Sequence, residues 1–189
     1  MRKILILAAI AAFAVPATVH AQARGGVLIV DTDQVMSTCT ACKAAATQLQ
    51  QRESTLRTRA QTLQTQLQTE GKPIQDQFEA LKGKQPDAAL QAKITAYQTK
   101  ENNAQQELAK SQRDLQSTAA HVQQQIGGRL IQIVEQTRAR RGAQIAIAKD
   151  ATLASDNAID VTAEVLAALN SALPSVSVTP LPQAQQQQR

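Results

Sequence analysis

The sequence of 189 residues carries 20 Lys and Arg against 15 Asp and Glu, with one tyrosine, two phenylalanines and no tryptophan. So mild an excess of positive charge and so few aromatics exclude a nucleic-acid binder, which needs a concentrated basic face with stacking platforms. They also argue against one compact core, because aromatics normally supply much of a core's buried area.

Met1-Arg2-Lys3 is a short basic start, and ILILAAIAAFAVPA over residues 4–17 is apolar, with Pro16 near its end. Val19-His20-Ala21 then has the small–x–small pattern of a signal-peptidase site. A membrane span needs about 20 apolar residues, and this run is shorter. Residues 1–21 are therefore expected to be a cleaved signal peptide, and the mature chain 22–189 to be exported. Loss of Arg2 and Lys3 leaves eighteen basic residues against fifteen acidic ones, a net charge of +3. Such a charge permits contact with an anionic lipid surface; a solvated helix carrying both signs is the plainer reading.

GGVLIVDTD over 25–33 contains a short β-branched run, Val27 to Asp31, opened by two glycines, which predicts a buried strand. A short loop or helical turn around QVMST leads to Cys39-x-x-Cys42. From residue 46 a heptad pattern begins. Leu49, Leu56 and Leu63 fall seven apart, and Ala46, Ala60, Leu67, Ile74 and Leu81 form a second row, with Glu53 as the polar exception. An a/d pattern of this kind implies a narrow seam facing one partner helix. Gly71 and Pro73 interrupt it, and because Ile74 and Leu81 resume the register, a kinked continuation is expected.

LKGKQPDAAL over 81–90 reads as a turn, with Asp87 placed to cap a second helix. That helix should run to about Arg141 on Leu90, Ile94, Tyr97, Ala104, Leu108, Leu115, Ala119, Val122, Ile126, Leu130 and Ile133. Two long helices joined by a short turn lie antiparallel. A 40-residue helix then makes an arm about 60 Å long.

After Gly142, AQIAIAKDATLAS over 143–155 alternates at Ile145 and Ile147 as a strand does, then predicts a turn at Lys149-Asp150 and a short second strand. DVTAEVLAALNSAL over 160–173 is an amphipathic helix, with Asp160 as N-cap and Val161, Val165, Leu166, Leu169 and Leu173 on one side. The tail from Pro174 is rich in Pro and Gln and is expected to be disordered over 174–189. The fold class is α+β, mainly α: a long antiparallel helical hairpin over 43–141 on a small β-body built from 22–42 and 142–173. So few strands would leave open edges in a monomer, and assembly with further copies of the chain closes them.

VLIVDTDQV (27–35), AQIAIAKDATLAS (143–155) and AIDVTAEVLAAL (158–169) resemble the Skp (OmpH-like) family of periplasmic chaperones, whose closing helix carries an Asp-hydrophobic-Thr-x-x-hydrophobic-Leu pattern. Asp160, Val161, Thr162, Val165 and Leu166 match that pattern. The resemblance spans 26–170 and is strongest at the two ends of that range. It implies a homotrimer in the periplasm, with a β-body to which Leu28, Val30, Ile145 and Ile147 contribute. Three arms would enclose a cavity that holds unfolded outer-membrane proteins, without ATP, until insertion. Family arms are often basic near their tips, whereas here Lys72, Lys82, Lys84 and Lys93 interleave with Glu70, Asp76, Glu79 and Asp87. The Cys pair and the Gln-rich tail lie outside the family pattern.

Hydrolytic chemistry needs a nucleophile with a base, or a metal with its ligands. His121 is the one histidine of the mature chain and sits mid-helix, which reads as a surface or seam position. Gly71-Lys72 is followed by Pro and Gly83-Lys84 by Gln, so neither forms a phosphate loop. No catalytic residue, cofactor or metal site is expected. Cys39 and Cys42 have three readings: a structural disulfide, free or regulatory thiols, or a redox or metal centre. An oxidising compartment favours the disulfide, and two ligands alone make a poor zinc site. Phe78 and Tyr97, near the hairpin tip, either pack in the seam or, with Lys72, Lys82 and Lys84, contact a client. A coiled-coil scaffold or spacer of the cell envelope, without a client, is the rival reading; it shares the arms but has no need of a β-body.

Overall fold

The computed structural model describes residues 26–181, so the expected signal peptide lies outside the described residues. The element order is strand β1 (Gly26–Val30), helix α1 (Thr32–Thr38), helix α2 (Thr40–Ala80), helix α3 (Ala88–Arg140), strand β2 (Ala143–Ala148) and helix α4 (Thr162–Ala172). This is a mainly helical chain carrying a two-stranded sheet.

The sequence around QVMST forms a helix of its own. The Asp31 side chain accepts from the Gln34 amide at 2.8 Å and starts α1, and the Cys39 sulfur then accepts from the Cys42 amide at 3.0 Å to start α2. At the far end, Leu81 closes α2 and the chain reverses through Lys82 (φ 48°) and Gly83 (φ 87°). The Asp87 side chain accepts from the Leu90 amide at 2.7 Å, as its position in the turn predicts. Pro73 lies inside α2, which runs unbroken through it.

The helices meet along the expected seam. Leu49, Leu56, Ala60, Leu63, Leu67 and Ile74 on α2, and Leu81 at its cap, are each buried or half-buried, as are all eleven apolar positions expected on α3. Ala46 is exposed, and its neighbour Ala45 is buried instead, because the foot of α2 turns toward the base core rather than toward the seam alone. By rise per residue α2 is about 60 Å long and α3 about 80 Å. The extra length of α3 lies at the base, where Val122, Ile126, Leu130 and Ile133 join one apolar cluster with Val35, Ala41, Val161, Val165 and Leu169. The base core therefore reaches well into the helices. Burying each such Val, Ile or Leu contributes about 1.5–3 kcal/mol.

β1 and β2 pair in parallel, Val27 with Ile145, Leu28 with Ala146, Ile29 with Ile147 and Val30 with Ala148. Parallel strands need a long crossover, and here the whole helical hairpin supplies it. The second edge of β1 carries a single bridge, Ile29 with Asp160, in which the Val161 amide donates to the Ile29 carbonyl at 2.9 Å. The short second strand expected after Lys149-Asp150 does not form. A 3-10 turn over Lys149–Ala151 leads into an irregular stretch where Leu153 is fully exposed, and without a packed face that stretch has nothing to hold it in a sheet.

Two further expectations change in detail. Helix α4 begins one residue later than expected, with Val161 at the capping position. The Asp160 carboxylate still serves that end, accepting from the Thr162 amide at 2.9 Å. Residues 174–181 are not free in solvent: Val178 is buried in the base cluster and Val176 packs on it. Alternating valines give this stretch an apolar edge that composition alone obscures. Residues 182–189 lie outside the described residues.

Candidate functional site

The motif residues of the closing helix form a clasp rather than a reactive site. Thr162 accepts from the Asp31 amide at 2.8 Å and also hydrogen-bonds the Asp160 carboxylate through its hydroxyl. Lys149 Nζ stands 3.0 Å from Asp160 Oδ2. These bonds, led by those from Thr162 and followed by that from Lys149, hold the Asp160 carboxyl down at about 2. The end of β1, the start of α1 and the start of α4 are thereby tied at one point. Arg140 and Arg141, at the end of α3, pair with Glu164 of α4 at 3.1 and 2.7 Å.

Cys39 and Cys42 sit in this same base. Their sulfurs are 1.94 Å apart, a bonded separation. Cys39 is 1% and Cys42 7% exposed. A reactive thiol needs access as well as an electropositive setting; the start of α2 supplies the second, but burial among Val35, Ala41 and Ala45 denies the first. Among the described residues no cluster of His, Cys, Asp or Glu could hold a metal ion.

The four residues assigned to the β-body separate onto two faces. Opposed residues in a ladder share a face and successive ones alternate. Leu28 and Val30 therefore lie with Ala146 and Ala148 and are buried in this chain's own core. Ile145 and Ile147 lie on the opposite face, where Ile145 is 52% exposed. Ile131 of α3, 71% exposed, borders the same groove as Ile145, about 450 Å³ in volume and running along β2.

The residues proposed from sequence for the arm tip also divide. Tyr97 lies over Gly71: a Cβ built on that glycine would meet the Tyr97 hydroxyl at 2.7 Å. It is a seam residue, and Gly71 is the small partner that admits its ring. Phe78 is 54% exposed. It borders a groove of about 650 Å³ with Leu67, Lys72, Ile74 and Tyr97. A second groove of about 320 Å³ runs along the other side of Ile74 and Tyr97, between Pro73 and Lys93. Lys72 is paired with Asp76 at 3.1 Å, whereas Lys82 and Lys84 have no ion pair among the described residues.

Mid-arm, Leu56 and Leu115 are only partly buried, with a groove of about 420 Å³ on one side and about 580 Å³ on the other. The arm is therefore apolar along its centre, flanked by grooves at mid-arm and near the tip, closed over Leu63 and Ala104, and laced with charge pairs such as Arg59 with Glu107 at 2.6 Å and Lys100 with Glu70. Sequence reasoning missed these mid-arm grooves. Their signal was the set of polar residues, Gln51, Arg52, Thr55, Ser111 and Asp114, that flanks Leu56 and Leu115 on one side.

Residues 26–169 match the family model described as outer membrane protein (OmpH-like). The fold is similar to the crystal structure of a proposed outer membrane chaperone (OmpH-like) from Caulobacter crescentus CB15. The TM-score is 0.69 at 19% identity, over 85% of this chain and 93% of that one. At such identity the likeness speaks for the fold. No curated protein matches the sequence.

Proposed function

Because the chain belongs to the OmpH-like family, we propose that it is a periplasmic holdase chaperone, exported by its N-terminal signal. It takes unfolded outer-membrane β-barrel proteins, without ATP, into a cavity between the arms of a homotrimer and keeps them from aggregating before insertion. The observation that carries this reading is the arm, where Leu56, Leu67, Ile74, Tyr97 and Leu115 are only partly buried and grooves flank the seam at mid-arm and again near the tip, with buried Leu63 and Ala104 between them. A helical hairpin that served only as a spacer would gain stability by closing that seam. A holdase gains from leaving it open, because many weak apolar contacts together retain a chain that each alone would release.

Unfolded barrel strands alternate apolar and polar residues, so they offer an apolar edge at every second position. The trimer is supported by the edge of β2 that has no partner among the described residues and by exposed Ile131 and Ile145 beside it. An unpaired edge with apolar neighbours is costly to leave in water. The test is light scattering of an unfolded outer-membrane barrel protein diluted from urea. The mature chain should suppress it at near-stoichiometric ratio without nucleotide. Unchanged scattering would favour the spacer.

A further inference from the structure

The segment after α4 turns away from that helix and lies along α3. Gln125 takes both main-chain groups of one residue: its Oε1 accepts from the Ser177 amide at 2.9 Å and its Nε2 donates to the Ser177 carbonyl at 3.0 Å. One helical step away, His121 Nδ1 stands 3.1 Å from the Thr179 carbonyl, to which it must donate. One step further, the Ser117 hydroxyl accepts from the Leu181 amide at 3.0 Å. Residues 117, 121 and 125 are four apart on the helix, while 181, 179 and 177 are two apart on the segment. Four helical residues rise about 6 Å, and two extended residues span about 6.6 Å. The two repeats match, so the helix carries a polar ladder in register with an extended chain.

Between the rungs, Val178 is buried in the cluster that includes Val122 and Ile126. The side chains of Ser177 and Thr179 point away and are exposed. The ladder therefore reads the main chain of its occupant and asks only for an apolar residue at alternate positions.

We propose that this face of α3 is a binding site for an extended polypeptide segment of alternating apolar and polar residues, occupied in the free protein by its own residues 174–181. Val-Ser-Val-Thr over 176–179 has the alternation of a barrel strand. The tail thus stands in for a client strand, and a client displaces it. The identity of the occupant rests on the holdase reading; the site itself does not. A tethered occupant competes at high effective concentration, and a site free in only a small fraction of molecules shows an affinity reduced by that fraction.

The test uses a labelled peptide of residues 174–181 as probe. The chain ended at Leu173 should bind it at least about tenfold more tightly than the full chain. Gln125→Ala in the shortened chain should abolish the gain. Val178→Asp in the full chain places a charge where an apolar side chain was buried, so it should release the tail and reproduce the gain without any truncation. An unfolded barrel protein should then displace the probe. Equal probe affinity in full and shortened chains, or a gain that survives Gln125→Ala, overturns the site. Probe binding without displacement by the barrel protein overturns the client as its occupant. Failure of the scattering test with the full chain would strike the holdase reading and leave the probe result standing.

Discussion

The Tyr97 ring occupies the space that a side chain on Gly71 would need, so the two residues lock the outer third of the arm in register. The phenol is held above its ordinary value of 10.0, first by lost hydration, then by the hydrogen bond and charge of Glu101, and last by the charge of Glu70. A raised phenol pKa contributes stability that is fully present below pH 10 and is lost as pH rises through the folded-state value. Tyr97 is the one tyrosine of the chain, so an absorbance titration reads it alone. Gly71→Ala should expel the ring and bring the midpoint back toward 10. The same change favours the helix by about 1 kcal/mol, so thermal stability should fall little. A midpoint unmoved by the substitution would deny the contact.

The carboxyl of Asp160, held at about 2 against an ordinary 3.8, acts in the opposite direction on the pH scale. Its contribution is present above pH 4 and is lost as pH falls through about 2. Asp160→Asn keeps the shape but loses the charge that Lys149 and Thr162 meet, and should cost about 1–2 kcal/mol at neutral pH. In urea unfolding the deficit should vanish near pH 2. A deficit independent of pH would mean that packing, not charge, holds the clasp.

The Cys39–Cys42 pair should be dispensable for client protection. A loop this short limits what a cross-link contributes to about 2 kcal/mol. Serine at 39 would still cap α2, since its hydroxyl is a better N-cap acceptor than sulfur. The double change to Ser should lower the melting temperature by a few degrees and leave suppression of client scattering unchanged. Lost protection in a folded double variant would revive a regulatory role for the thiols.

Legibility in the sequence tracked the strength of local signals. The heptads at Leu49, Leu56 and Leu63, the Asp87 cap and the Ile145/Ile147 alternation each depend on neighbours in sequence, and their elements are where those patterns put them. Features that depend on distant partners could not be read. Fully buried Thr118 and Thr137 look like solvent residues, but Thr118 bonds back to the Asp114 carbonyl at 2.7 Å and Thr137 accepts from Arg140 at 2.9 Å. Val178 looks like part of a Pro-rich tail until α3 presents Gln125 and His121 beside it. The same holds at the tip, where spacing could not tell half-buried Tyr97 from exposed Phe78.

Assembly should depend on the outer face of the sheet. Leu28 and Val30 already serve this chain's own core, so substitutions there would unfold the base and say nothing about copies. Ile145, half-exposed beside the β2 groove, is the discriminating position. Ile145→Asp leaves the monomer's core untouched but puts an unpaired charge in the proposed interface, at a cost of several kcal/mol. Sedimentation should show a folded monomer; a trimer of undiminished stability would count against this face.

Client binding should depend instead on the arm. Arg59 pairs with Glu107, Glu70 with Lys100 and Gln77 with Lys93, so residues 67 and 100 stand at nearly the same height on α2 and α3. Replacing 68–99 with a short Gly-containing turn therefore removes a matched outer part of both helices, including Lys72, Phe78, Lys82, Lys84 and Tyr97. The remaining seam keeps Leu49, Leu56, Leu63, Ala104, Leu108 and Leu115, and the base core is untouched. The shortened chain should fold and form the same oligomer as the intact one. It should also lose most of its power to suppress scattering of an unfolded barrel protein, with or without ATP, since both tip grooves and exposed Phe78 are gone. For the intact chain, moderate salt should weaken binding without abolishing it: charge attraction is screened within about 10 Å at 0.1 M, whereas the apolar contacts persist. A shortened oligomer that protects clients as well as the intact one would exclude the arm's outer part from binding and return the argument to the spacer.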